Sequence, residues 1–266
     1  TCANELVTLA KTKNITMLIV SHVNKDGQIA GPKVLEHMVD TVLYFEGDKD
    51  YQFRIIRSIK NRFGAANEIG IFDMGDSGLM EIKNPSELFL SSRKDMISGS
   101  VVFGGIEGTR PLLAEIQALI APSFMPMPRR SAIGWDQNRL SMIIAVLASR
   151  YGLSLLDKEV YLNVVGGLKV DEPAADLAVA LALISAYKDK AIPKNCMVCG
   201  EIGLSGEIRM VSQIEARLKE AEKLGFTRAI VPDGINNIKQ FKKEKYNLEI
   251  IAIKHVRDLA KFVNNN

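Results

Sequence analysis

No apolar run in the sequence approaches the roughly 18 to 20 residues that a bilayer-spanning helix needs, so no membrane span is expected. The longest, "LAVALALISAY" (177–187), has the length of a buried helix. Cysteine is scarce, three in 266 residues. An odd number of thiols in a chain of this size argues against a disulfide framework and for a reducing cytoplasm. Cys196 and Cys199 have the spacing of a metal or redox pair. No second pair or nearby histidine joins them, and strand alternation sends them to opposite faces, so both are expected in the core. The histidines, His22, His37 and His255, are too scattered to make a metal site, and none is expected. A phosphate loop of the G-x-x-x-x-G-K-[ST] type is also missing. The chain opens "TCANELVTLAKTKN", without Met or a leader and inside a helical pattern, so an absent upstream part is expected.

What is present is ordinary for a globular α/β chain: 47% hydrophobic and 24% charged residues, with a net charge of +3 that permits nucleic-acid binding without arguing for it. Helix and strand alternate through the first ~95 residues. A helix ends near Asn14, an apolar strand is expected at 15–23, a polar loop at 24–32 and a helix at 33–40. Strands follow at 41–47 and 51–59, then a hairpin through "IGIFDMGDSGLMEI". The turn-rich stretch 83–99 marks a domain boundary, giving domains 1–95 and 96–266. In the second, a strand at 100–108 precedes a stretch, 121–136, whose three prolines argue against regular structure. Leu140, Ile143, Ile144 and Leu147 then mark one buried helical face. Further strands are expected at 159–165, 196–202, 228–232 and 248–253, with a helix after Pro173. Another helix opens on a capping box of Ser212 and Glu215 and stops at Gly225.

Two positions stand out chemically. Lys60 and Arg62, two apart at the end of the strand 51–59, project to one face, with Asn61 and Gly64 supplying turn chemistry. His22 ends the apolar run 15–23. Ligands of α/β sheets bind outside the carboxyl ends of strands, so these residues are candidates for one phosphate-facing constellation. Two solvated charges and an exposed loop are the plain alternative.

"IVSHVNKDGQIAGPKVLEHMVDTVLYFEGD" followed by "KNRFG" (Lys60, Asn61, Arg62, Phe63, Gly64) resembles the RadA, or Sms, family of bacterial DNA-repair proteins, over the whole chain. The resemblance implies the C-terminal part of a RecA-like ATPase core followed by an α+β Lon-protease-like domain (ribosomal protein S5 domain 2-like), assembled as a homo-hexamer. It implies ATP and Mg²⁺, bound mainly upstream of this sequence, and zinc in an N-terminal module. The implied activity is DNA-stimulated ATP hydrolysis driving branch migration in recombinational repair. Single-stranded DNA, branched recombination intermediates and a RecA-type recombinase are the implied partners. On this resemblance Lys60 and Arg62 reach a neighbour's ATP, the arginine-finger logic, and His22 is the sensor of nucleotide state. Lys25 and Lys33, in and beside the loop 24–32, are placed to meet DNA phosphates. The fragment alone is expected to be inactive as an ATPase.

The segments "VGGLKVDEPAADLAVALALISA" and "GEIGLSGEIRMVSQIEARLKEA" resemble the catalytic segments of Lon peptidases, which use a Ser/Lys dyad. The matching positions hold Ala174 and Glu215, so a non-peptidase ring scaffold is expected. Arg129, Arg130 and Arg139 cluster near the proline-rich segment and are candidates for DNA contact. Trp135, the sole tryptophan, is expected to pack. Competing readings are a passive DNA-binding ring and an active Lon-type peptidase.

Overall fold

The computed structural model describes residues 2–22, 34–47, 53–66, 68–90, 97–238 and 241–263. The chain divides into two units, Thr1–Gly47 with Gln52–Glu81, and Asp48–Tyr51 with Ile82–Asn266.

In the first unit α1 (Cys2–Lys13) stops at Asn14, whose left-handed backbone (φ 49) breaks the helix, with Lys11 and Lys13 in the last turn where the helix dipole favours cations. A short helix, α2 (Val34–Met38), leads into an antiparallel sheet of β1 (Thr41–Glu46), β2 (Phe53–Asn61), β3 (Ile69–Gly75) and β4 (Gly78–Glu81), ordered β1-β2-β3-β4. Alternation sends Val42, Ile55, Ile69 and Ile71 to the buried side. Gly78, at φ 102, closes the β3–β4 turn with a backbone that only glycine adopts easily.

The apolar run 15–23 does not form its expected strand over the described residues 15–22. A buried strand needs neighbours on both sides. Here no described strand pairs with it, and Leu18 and Val20 are 85% exposed. Strand β2 also runs further than expected, through Asn61, so that Lys60 lies within it.

The second unit begins with α3 (Pro85–Leu90), whose Phe89 is buried; the expected junction at 95/96 lies outside the described residues. Its seven-stranded mixed sheet has the order β13-β12-β9-β5-β6-β8-β7. The strands are β5 (Ser100–Glu107), β6 (Arg110–Pro122), β7 (Arg130–Ile133), β8 (Lys158–Val164), β9 (Cys196–Val198), β12 (Arg228–Pro232) and β13 (Glu249–Ile253). A separate pair joins β10 (Glu201–Ile202) to β11 (Ile208–Arg209). Strand β6 occupies Arg110–Pro122, most of which was assigned no element from the sequence. Strand β7 corrects the expectation of irregularity across 121–136: its four residues contain no proline and pair in parallel with β8.

Helix α4 (Gln137–Val146) is capped by the Asp136 carboxylate, which accepts from the Arg139 N–H at 2.7 Å, and its Leu140, Ile143 and Ile144 are buried. Helix α5 (Asp176–Lys188) has ten consecutive buried residues, Asp176 to Ser185, the mark of a helix covered on all sides. Helix α6 (Ile214–Lys223) ends before Gly225, at φ 78. Its start corrects the capping-box reading. Gln213 stands at the cap in a left-handed conformation and no side chain caps the helix. A short α7 (Ala260–Val263) closes the described chain.

Candidate functional site

Strands β1 and β2 meet with a bulge between Val42 and Leu43, which opposes Thr41 to Asn61 and Val42 to Lys60. The last residues of β2 are thereby set beside the turn joining α2 to β1. The Lys60 ammonium donates to three backbone carbonyls there, Glu36 at 2.9 Å, His37 at 3.1 Å and Val39 at 2.8 Å. A helix leaves its last carbonyls without partners, and a lysine is a suitable cap. All three of this ammonium's donors are used, and the end of β2 is fastened to the end of α2.

Arg62, just past the strand, is held more loosely. Its N–H donates to the Asp40 carbonyl, and its guanidinium pairs with the Asp40 carboxylate at 2.9 Å, the two side chains 51% and 43% exposed. Asn61 shapes the turn, its Oδ1 accepting from the Phe63 N–H and its Nδ2 donating to the Ala65 carbonyl. Phe63 is exposed. The turn therefore presents one anchored cation and one cation in an open pair. His22 is exposed at the end of the unpaired segment. Lys25 and Lys33 lie outside the described residues.

The second unit spends its charges differently. Arg217 is fully buried. It donates to both oxygens of Glu172 (3.0 and 2.6 Å), to the Gly104 carbonyl (2.7 Å) and to the Ser212 carbonyl (3.0 Å). Glu172 also accepts from the Ile106 N–H at 2.7 Å. Asp176, buried as well, is gripped by both Nε and Nη2 of Arg139 (2.5 and 2.6 Å) and accepts from the Ile202 N–H. Burial pushes the Asp176 carboxyl up, a shift that Arg139 opposes, while the bond to Asp176 raises the Arg139 guanidinium.

These two pairs flank the positions that resemble the Lon dyad. Ala174, between Glu172 and Asp176, is buried and offers no nucleophile. Glu215 accepts from the Tyr246 hydroxyl at 3.4 Å, a role that replaces its expected cap bond to Ser212. Cys199, fully buried beside Arg217 and Glu172, has its thiol pushed up to about 12 by burial, which keeps it protonated, and Cys196 is buried too. Sequence reasoning missed Glu172, Asp176 and Arg217. Each stands two residues from a dyad position; Asp176 carried a signal, a lone charge opening an otherwise apolar helix, whereas Glu172 and Arg217 lie among other charged residues and carried none.

Of the three arginines near the proline-rich stretch, Arg139 is bound to Asp176. Arg129 is exposed and Arg130 half-buried, and Trp135 is packed. No group of three metal-ligating side chains and no helix long and apolar enough to cross a membrane occurs among the described residues.

Fold and sites together define an α/β protein of two units, one with cations at a strand end and one with its buried charges paired. The family model described as subunit ChlI of Mg-chelatase matches residues 130–235, within the second unit. Proteins named DNA repair protein RadA match nearly the whole chain. That of Rickettsia bellii is 58% identical over 260 residues (97% of this chain, 56% of that protein), and that of Bacillus subtilis 51% over 258 residues (97% and 56%). That of Rickettsia prowazekii is 60% identical over 230 residues (86% and 52%). This chain belongs to the RadA family, and it spans about half the length of the curated relatives it matches.

Proposed function

We propose that this chain is part of a DNA-dependent ATP hydrolase of recombinational DNA repair, a ring-forming motor that drives branch migration on single-stranded and branched DNA alongside a RecA-type recombinase. The observation that carries the reading is the contrast at the KNRFG turn. Lys60 is fixed by three carbonyls, whereas Arg62 sits in a half-exposed pair with Asp40. An exposed pair of this kind contributes only about 0.2–1 kcal/mol, so a phosphate presented by a neighbouring subunit competes for Arg62 at little cost. A guanidinium also matches phosphate geometry better than it matches one carboxylate oxygen.

In this reading the pair expected to act together divides its work. Arg62 stabilises charge on the neighbour's transferred phosphoryl group, and Lys60 holds the turn that aims it. ATP and Mg²⁺ serve the longer protein. In this reading their main binding motifs lie upstream of this sequence, and the chain acts on the nucleotide held by a neighbour. His22 as nucleotide sensor, and Lys25 and Lys33 as DNA contacts, belong to the same proposal. The second unit, with Ala174 and Glu215 at the dyad positions, serves as a scaffold and DNA guide, with Arg129 and Arg130 facing the nucleic acid.

The test is ATP hydrolysis by the full-length protein, with and without single-stranded DNA. Arg62→Ala is expected to lower the DNA-stimulated rate by roughly tenfold or more while nucleotide binding persists. An unchanged rate would return the turn to a solvated strand end. A wild type that binds DNA yet never hydrolyses ATP would favour a passive ring.

A further inference from the structure

The pair between Arg62 and Asp40 is built differently from the two buried arginine pairs of the second unit. Arg139 and Arg217 each reach both oxygens of a carboxylate through two guanidinium nitrogens. Arg62 offers Asp40 a single nitrogen, Nη1, to a single oxygen, Oδ1, at 2.9 Å. Among the described residues its Nε and Nη2 have no partner, and neither has the second oxygen of Asp40. A single contact that solvent reaches does not aim a guanidinium, because turning about it costs little. A carboxylate that oriented Arg62 would grip it as Asp176 grips Arg139.

The backbone under the pair, by contrast, is fixed. The Arg62 N–H donates to the Asp40 carbonyl at 2.9 Å, and the Lys60 ammonium binds the carbonyls of Glu36, His37 and Val39, which lead into Asp40. On the other side the register opposing Thr41 to Asn61 closes the turn. Asp40 therefore stays beside Arg62 whether or not the two side chains touch. The charges closest in sequence are occupied elsewhere. Glu36 accepts from the Tyr44 hydroxyl at 3.2 Å, and Lys60 is spent on carbonyls.

We infer that Asp40 is a latch on Arg62: it parks the guanidinium, and it is given up when Arg62 reaches the neighbour's phosphate. The inference rests on the reading of Arg62 above and adds the regulation of that site. Asp40 carries the sign of a phosphate, so it competes for the same donors and repels the group that would displace it. An exposed pair favours the joined form by about fivefold at most. The latch thus restrains Arg62 without locking it. A phosphate gripped through two parallel N–H bonds displaces a carboxylate held through one. The freed Asp40 is about half exposed and returns to water at little cost.

The experiment is ATP hydrolysis by the full-length protein with single-stranded DNA bound, read as kcat/KM. Wild type is compared with Asp40→Asn, Asp40→Glu, Arg62→Ala and the double variant Asp40→Asn with Arg62→Ala. Asparagine keeps the shape of the side chain and the backbone carbonyl, so the variant should fold, as its melting temperature checks. Asp40→Asn is expected to raise kcat/KM by roughly 1.5- to fivefold, a gain that a merely damaged turn would not give. Asp40→Glu keeps the charge and should stay near wild type. With Arg62→Ala present, Asp40→Asn should change nothing. Arg62→Ala hydrolysing at the wild-type rate would remove the reading of Arg62 and the latch with it. A lowered rate there, with Asp40→Asn unchanged, removes the latch alone. A slower Asp40→Asn also overturns it, making Asp40 a residue that aims Arg62. So does a gain that persists without Arg62, or one that Asp40→Glu shares in full, since either assigns the effect to the turn.

Discussion

Arg62 and Arg217 both pair with a carboxylate at under 3 Å, Arg62 with Asp40 at 2.9 Å and Arg217 with Glu172 at 2.6 Å. The first pair is about half exposed on both sides, while the Arg217 side chain is fully buried. Solvent makes the first cheap to break and leaves its guanidinium on offer. Burial makes the second expensive to break, because Glu172, its side chain only 23% exposed, is poorly rehydrated when left behind. One kind of pair in two surroundings gives a contact that can be exchanged and a contact that is structural. Distance alone would not separate them.

The comparison breaks most visibly at Arg217. Arg217→Met removes the partner of Glu172 and the donors to Gly104 and Ser212, and is expected to destabilise the chain by about 3–5 kcal/mol in chemical denaturation. Adding Glu172→Met should recover part of that loss, since an uncharged pair no longer strands a charge. A double variant no better than the single one would mean that the carbonyl bonds, not the ion pair, dominate.

Next in size is Lys60→Met. Hydrogen bonds to a charged donor stabilise by about 1.5–3 kcal/mol, and this variant should raise hydrogen exchange at the α2–β1 turn, residues 34–41. Arg62→Ala should leave stability within about 1 kcal/mol of wild type. If both variants lowered hydrolysis and neither changed exchange, Lys60 would act directly on the neighbour's phosphate and the division of labour would fall.

The smallest effect is expected at Tyr246. Burial, together with Glu215, pushes its hydroxyl up to about 12 from an ordinary value of 10. A proton held more tightly in the folded state stabilises below the unfolded value, and that contribution is lost as pH rises from about 10 through about 12. Tyr246→Phe should therefore flatten the alkaline fall in melting temperature between those limits, with little change at neutral pH. An identical alkaline profile would show that the hydroxyl is solvated.

Much of this could be read directly from residue patterns. The apolar positions 140, 143, 144 and 147, the asparagine after α1, the glycine after α6 and the alternation in β1 and β3 are local signals, and the elements follow them. The KNRFG turn was legible as a strand end with two cations. Patterns failed where the deciding partner was distant in sequence. The run 15–23 has a strand's composition, yet its described part has no neighbouring strand. Strand β7 is only four residues long, and Ser212 and Glu215 match a capping box that the left-handed Gln213 displaces.

Composition and spacing thus determined the α/β class, the buried helix α5, the core cysteines and the two cations at the end of β2. Tertiary structure decided what each charge does: that Lys60 caps α2, that Arg139 belongs to Asp176, and that Arg217 and Glu172 occupy one another. The reason is physical. Periodicity reports which face of an element avoids water, a local property. The role of a charge depends on its partner and on how much solvent remains around them, and only the folded chain sets both.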